Sequence, residues 1–528
     1  MANVSLTLPP DYWKNFTPGK KDLEFISTYL FENETPLTEK ELVPVLVQEH
    51  VRVEREALLK EQQGSGKTYL PKENYRTGDQ IVFPALNWKK GTVVGTRPGV
   101  NPGLGEFSVI EVEFENGKKS FAAGLADHKL NAPVEVTVDD VNLDPAVILK
   151  NFGADLELKL LKSLREDPNL VRIAGRWFPR ALLVDVNVGH LNLAEAVMEE
   201  AGGKSLSATM LIEQLELPAN VNPKLVEFSM NYALQEDPRF DEVGPAGEVL
   251  WCLKRLEPED VQQIPVPLRY TSVDYDSSLL TPQMLKLVAE IDDELTESTT
   301  PAAAVDEVTI ALTYPHWRAG TLPVSARVQS LFPTAYESPR VLFTLVDGQT
   351  GEEIPAWVVR QHGYVSGLSR FYKKYELFPG SLVVVKKGKK PGQAIITAKS
   401  HRPVRDWVRT VLVGSDGGIV FATLKQNLAS EFNERMVIAV TDVAAVDEAA
   451  ALLAKKRVPL EQTVADMMRE LIKMNVQGHV HAQELYSALN IVRRCPPAPL
   501  LAILAGDKTY KHVGDMHFRM AEAENEDE

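Results

Sequence analysis

The chain of 528 residues contains only two cysteines, Cys252 and Cys495, far apart in sequence. They form no metal-type pair, and so sparse a use of cysteine fits a reducing, cytoplasmic setting. No run of eighteen apolar residues occurs, so no membrane-spanning helix and no membrane partner are expected. The opening stretch "MANVSLTLPPDYWKNF" lacks a basic region followed by an apolar core, so no secretory signal is expected. There is no G-x-S-x-G and no Cys–His constellation with supporting acids. No catalytic centre is therefore expected, and no cofactor.

One segment resembles an enzyme motif. "QQGSGKTYL", residues 62–70, ends like a phosphate-binding loop, with Gly66, Lys67 and Thr68 in place. The loop's first glycine should fall at 61, which is Glu61, an acid where phosphates would approach. A charged helical pattern precedes it instead of a buried strand, and Pro71 and Gly78 oppose a following helix. A Gly-Ser connector is the expected reading. "GHVHAQE" offers His479, His481 and Glu484, but no cysteine or third nearby histidine completes a ligand set, and His512 and His517 read as surface residues of a hairpin. No metal is expected. Asp292, Asp293 and Glu294 have no partner motif and read as solvated linker.

The composition is that of an ordinary soluble protein, 44% apolar and 25% charged, long enough for three or four domains. Two patterns each occur three times. In "REDPNLVRIAGRWF", "QEDPRFDEVGPAGEVLW" and "AGDKTYKHVGDMHF", an aspartate leads to Leu170, Phe240 or Tyr510, then Ile173, Val243 or Val513, a glycine turn, and Trp177, Trp251 or Phe518. Alternating apolar residues around glycine predict a two-stranded hairpin. In "PLTEKEL", "SLSATML" and "HVHAQEL", Leu37, Leu206 or Val480 precedes a helix start, with Leu42, Leu211 or Leu485 five residues on. Thr38 and Ser207 are good N-caps, because their hydroxyls accept from unpaired helix N–H groups; His481 is a poorer one. An amphipathic helix precedes each segment.

Assembled, the unit is helix, turn, helix, helix, hairpin. It resembles the HARE-type winged helix-turn-helix of the RNA polymerase delta subunit and of some chromatin proteins. Residues 190–258 and 463–520 carry the resemblance most clearly. The first copy is split, with its opening helices at 22–60 and its third helix and wing at 141–183. The resemblance implies a DNA-binding or protein-docking fold, with RNA polymerase or another protein as a possible class of partner.

Between the halves of the first copy, residues 78–125 read as a five-stranded SH3-like or Tudor-like barrel. Trp88, Phe107 and Phe114 are candidates for a recognition pocket, with core packing as the commoner fate of such aromatics. After an acidic linker, residues 307–443 read as a second β-rich domain. Its stretch 354–387 runs strand, glycine turn, short aromatic helix, "PG" turn, strand, and is similar to the B3-like DNA-binding pseudobarrel.

The net charge of −16 hides a local reversal. Residues 356–411 hold twelve Lys/Arg and two acids, interleaved with Trp357, Tyr364, Phe371, Tyr372, Tyr375 and Trp407. Cations attract phosphates through counterion release, and aromatics stack on bases. The candidate nucleic-acid contacts are Arg360, Arg370, Lys373, Lys374, Lys386, Lys387, Lys389, Lys390, Arg402 and Arg405, with Arg172, Arg176 and Arg180 on the first copy's wing. The second copy, with five basic and twelve acidic residues, should repel DNA and suits a protein partner. The third copy's "PPAPLLAILAG" has no side chain able to read a base edge, so that helix is core or a protein-docking surface.

The expected architecture is a multidomain α+β protein. Residues 1–60 and 136–188 form winged helix 1 around a barrel at 61–135. Winged helix 2 spans 189–262, a helix and linker 263–306, the basic β-barrel 307–445, winged helix 3 446–522 and an acidic tail 523–528. The expected function is non-enzymatic DNA binding in transcription or chromosome maintenance; the residues do not distinguish DNA from RNA. An interaction scaffold and an enzyme with an unrecognised site are the rival classes.

Overall fold

The computed structural model describes residues 9, 11–63, 67–83, 86, 89–101, 103, 105–114, 117–131, 143–215, 221–296, 305–390 and 392–521, with side chains from 58 to 63 left out. Trp88, Gly64 to Gly66, residues 297–304 of the linker and the acidic tail lie outside the described residues. The fold is mixed α+β with several sheets, one of them curled into a half barrel. It divides into two compact units, Met1–Val184 with Asn220–Phe228, and Asp185–Ala219 with Ser229–Glu528.

The threefold sequence pattern becomes a threefold structural one. In the first unit, the helix Lys20–Asn33, the strand Leu37–Thr38 and the helix Glu39–Gln63 precede the helix Pro145–Glu166 and the hairpin Leu170–Ile173 and Arg176–Pro179. Leu37 pairs with Trp177, joining segments separated by the whole inserted sheet. Leu206 bridges Trp251 in the second copy, and Val480 pairs with Phe518 in the third. The apolar residue before each helix therefore zips onto the aromatic that ends each hairpin. Ala174 and Gly175 both have positive φ, the geometry that joins two twisted strands through a two-residue turn.

The helix caps follow from residue chemistry. Glu41 N–H donates to Thr38 Oγ1 at 3.2 Å, and Thr38 N–H donates back to the Glu41 carboxylate at 2.8 Å. Met210 N–H donates to Ser207 Oγ at 3.3 Å. His481 achieves the same with its ring: Gln483 N–H donates to Nδ1 at 3.1 Å, and His481 N–H donates to Glu484 at 3.3 Å. The histidine is thus a working cap.

The inserted sheet has five strands in the order Lys67–Thr68, Gln80–Phe83, Lys89–Pro98, Ser108–Phe114, Gly117–Ala123. Its first strand comes from the segment that resembled a phosphate loop. Lys67 and Thr68 pair in parallel with Ile81 and Val82, and no helix starts after them. They lack the helix N-terminus on which a phosphate would rest. Lys67→Ala should leave both the melting temperature and nucleotide binding unchanged, as calorimetry and titration with ATP would show. Phe114 packs against the core formed by Tyr69, Tyr75, Phe83 and Val93, and the Phe107 ring lies over Gly99.

In the second unit a seven-stranded sheet runs in the order Glu307–Ala311, Leu382–Lys387, Gln393–Ala398, Arg340–Asp347, Glu353–Val359, Tyr364–Ser366, Thr321–Pro323. Gly380, in the "PG" turn, has φ of 99°, and a Cβ there would sit 2.5 Å from the Val437 backbone. A second, three-stranded sheet is built on the long hairpin Ser400–Val413 and Ile419–Ser430. Val411, Ile419 and Phe421 of this hairpin share one core with Val464, Met468, Leu485 and Phe518 of the third copy. The helix Pro497–Gly506 is core: Leu500, Leu501 and Leu504 are buried in that same cluster.

The acidic triplet Asp292, Asp293 and Glu294 is not solvated linker. Arg494 reaches Asp293 at 2.6 Å and Glu294 at 2.7 Å, with all three side chains almost fully buried. His316 Nε2 lies 3.1 Å from Glu294, and the Tyr486 hydroxyl donates to Asp293. Burial works against ionisation of Glu294, but Arg494 and His316 outweigh it and hold the carboxyl well below the usual range. Arg494 lies about 200 residues downstream, where no local pattern in the linker could reveal it.

Candidate nucleic-acid interface

The basic stretch 356–411 is spread across the seven-stranded sheet and into the long hairpin. Lys386 is level with Ile395 and so with Val346, near one end of the strand Arg340–Asp347. Arg360 lies beyond Val359, the partner of Arg340 at the opposite end. Three strand-to-strand steps, about 14 Å along a flat sheet, also separate their strands.

Several of the expected contacts are spent inside the fold. Lys374 pairs with Asp347 at 2.7 Å and Glu352 at 2.8 Å. Asp347 is fully buried; its desolvation is overcome by Lys374, Tyr375 and backbone donors, which hold the carboxyl well below its ordinary range. Lys386 pairs with Glu307 at 2.7 Å, and Arg360 donates to the Ser338 carbonyl at 2.7 Å. On the first copy's wing, Arg172 contacts buried Glu39 at 3.0 Å, and Arg176 faces Glu41 at 3.4 Å. Arg180 is exposed. Lys374→Met should lower the melting temperature by leaving Asp347 buried without its cation, yet leave the salt dependence of any nucleic-acid binding unchanged. A parallel loss of both would contradict this division of roles.

The aromatic interleaving also resolves into core. Trp357, Tyr364, Phe371 and Tyr372 are buried, and Tyr375 donates its hydroxyl to Asp347. Trp357, Val359 and Tyr364 pack with Val243 and Cys252 of the second copy. Arg340 bonds Asp241 at 2.7 Å and Glu257 at 2.9 Å across the same contact. The acidic copy's hairpin is thus occupied within this chain. Its two arginines are also paired, Arg239 with Asp237 and Glu195, Arg255 with Glu195 and Glu199.

One aromatic is different. Trp407 is 59% exposed, midway along the long hairpin. Residues directly opposite each other in an antiparallel pair share a face. Trp407 is opposite Lys425, Arg405 opposite Asn427, and Arg409 opposite Thr423. Lys425 Nζ stands 5.1 Å from the Trp407 ring centroid, a cation–π contact. Arg402, in the irregular stretch between Ser400 and Val404, and Arg405 are exposed and make no ion pair among the described residues. The same holds for Arg370, Lys373, Lys387, Lys389 and Lys390, elsewhere on this unit. Lys425 falls outside the basic stretch and was missed; the strand register supplies it.

Beside Trp407 lies an open cleft of about 650 Å³ between the hairpin and the turn that joins the third copy's first two helices. Trp407, Thr423, Asn475, Val476, Gln477 and His479 line it, with Asp406, Glu434 and Glu484. Arg409 closes on Glu484 at 2.8 Å. The structure also brings His517 within 5.0 Å of His481 and 4.8 Å of His479, ring centre to ring centre, a third histidine the sequence placed on the surface. His481 Nδ1 accepts a backbone N–H, so its Nε2 carries the proton in the neutral ring and faces no metal as a lone pair. No metal-binding cluster occurs among the described residues. Nor is any helix among them long and apolar enough to cross a membrane.

No protein-family model, curated protein or solved structure matches the chain.

Proposed function

We propose that the protein binds nucleic acid without catalysing a reaction, and that the long hairpin 400–430 is the contact. The observation that carries this is the shared face of Arg405, Trp407 and Lys425, an exposed aromatic between cations that have no acidic partner among the described residues. Phosphates would be held by charge, and the tryptophan would meet a base. The helix–strand–helix–helix–hairpin units are read as three winged helices of HARE type, the inserted sheet as SH3-like and the seven-stranded sheet as B3-like. DNA in a transcriptional or chromosomal setting is the partner this architecture suggests. The winged helices then act mainly as scaffold, because their wings and third helices are engaged internally.

A protein-interaction scaffold is the second reading, favoured by the net acidity of the second copy. The test is fluorescence anisotropy of the full chain with labelled nucleic acid at low and physiological salt. Binding that weakens with salt supports the proposal. No binding at low salt favours the scaffold.

A further inference from the structure

We infer that the nucleic acid taken by the hairpin is single-stranded, with one base stacked on Trp407 and its neighbour lodged in the adjoining cleft. This rests on the nucleic-acid reading above and specifies its substrate class.

The first ground is access. Lys425 stands over one side of the Trp407 ring, and the exposed remainder borders the cleft. In a duplex the base faces are already stacked on each other, so a flat exposed indole can meet them only by forcing bases apart. An unpaired base offers its face without that cost.

The second ground is size and lining. A cleft of about 650 Å³ has room for a base and its sugar. Its walls carry Thr423 and Gln477, a hydroxyl and an amide able to meet a base edge, and Val476, which is fully exposed at the rim; Asn475 is bonded within the turn, and His479 Nε2 lies 2.7 Å from Gln477 Oε1. This is the mixture expected of a site for a polar heterocycle.

The third ground is charge separation. The cleft's own charges are Asp406, Glu434 and the Arg409–Glu484 pair, an excess of acid that excludes phosphate. The unpaired cations Arg402 and Arg405, with Lys425, stand on the hairpin outside it. A strand would therefore lie with its backbone along the hairpin and its bases turned into the cleft. A duplex presents the reverse order, phosphates outermost on every side, and would bring them against those acids.

The experiment is anisotropy of the full chain with a labelled oligodeoxythymidylate of about 20 nucleotides, long enough for one site, an oligouridylate of the same length, and a mixed-sequence duplex. The single strands should bind more tightly than the duplex, and the two single strands show whether the sugar matters. Trp407→Ala should weaken single-strand binding roughly 5- to 150-fold, whereas Trp407→Phe should retain most of it. Because Trp407 is largely exposed, its replacement should not alter the melting temperature. Duplex binding equal to or tighter than single-strand binding, or a Trp407→Ala variant with unchanged single-strand affinity, overturns this inference while leaving the nucleic-acid reading intact. Failure to bind any of the three overturns both.

Discussion

Replacing Arg494 with alanine should destabilise the protein by about 3–5 kcal/mol. The guanidinium is the shared counter-ion of Asp293 and Glu294, in a place with almost no access to solvent. Its removal leaves two buried carboxylates beside His316, Tyr486 and the Leu295 N–H, without their cation. The effect should depend on pH in a defined direction. In the native protein the Glu294 carboxyl is depressed, so its contribution is present above the ordinary carboxylate range and is lost as pH falls through the folded value. In the variant, burial is opposed by His316 but no longer by Arg494, so the carboxyl is less depressed and acid relieves the variant. The gap between the two proteins should therefore narrow as pH is lowered from 7 toward 4. Urea unfolding at several pH values measures it, and a gap that is constant with pH would mean that the cluster's charges are not coupled as the distances indicate.

Trp251→Ala should cost about 3–5 kcal/mol. The indole is buried at the centre of the second copy, against Met198, Leu211, Met230 and Leu234. Its backbone bridges Leu206, and its Nε1–H donates to Asn231 Oδ1 at 2.7 Å. Truncation opens a cavity and leaves a buried amide oxygen without its donor. Trp251→Phe fills most of the space but not the hydrogen bond, so it should cost about 1–3 kcal/mol. Thermal unfolding of both variants tests this; equal losses would assign the whole effect to volume.

These two sites differ in how readable they were. Trp251 belongs to a repeat, and the hairpin around it follows from alternation and glycine over a dozen residues. The same local signals gave the helix starts at Thr38, Ser207 and His481, and the pairing of Leu37, Leu206 and Val480 with an aromatic is the geometry that makes them recur. Asp293 and Glu294 carry no such signal. Their fate depends on Arg494, which sequence distance hides. The same limit applies to the basic stretch. Lys374 and Lys386 look like free cations until Asp347 and Glu307 are brought beside them. Strand alternation places Trp357 and Tyr364 on a face, but it does not tell that the second copy covers that face. Trp407 survives as a candidate because its side chain stays largely exposed, and Lys425 joins it only through the register of a hairpin.

The most direct test of the hairpin as the nucleic-acid contact is the salt dependence of binding by the full chain, measured for the native protein and for Arg405→Glu combined with Lys425→Glu. If Arg402, Arg405 and Lys425 each meet a phosphate, the logarithm of the affinity should fall against the logarithm of salt with a slope of about −2 to −3. The double reversal should remove most of that slope and most of the affinity, with the melting temperature unchanged because both side chains are exposed. Binding with the same affinity and the same slope in the double reversal, or no binding by the native chain at low salt, would contradict the account.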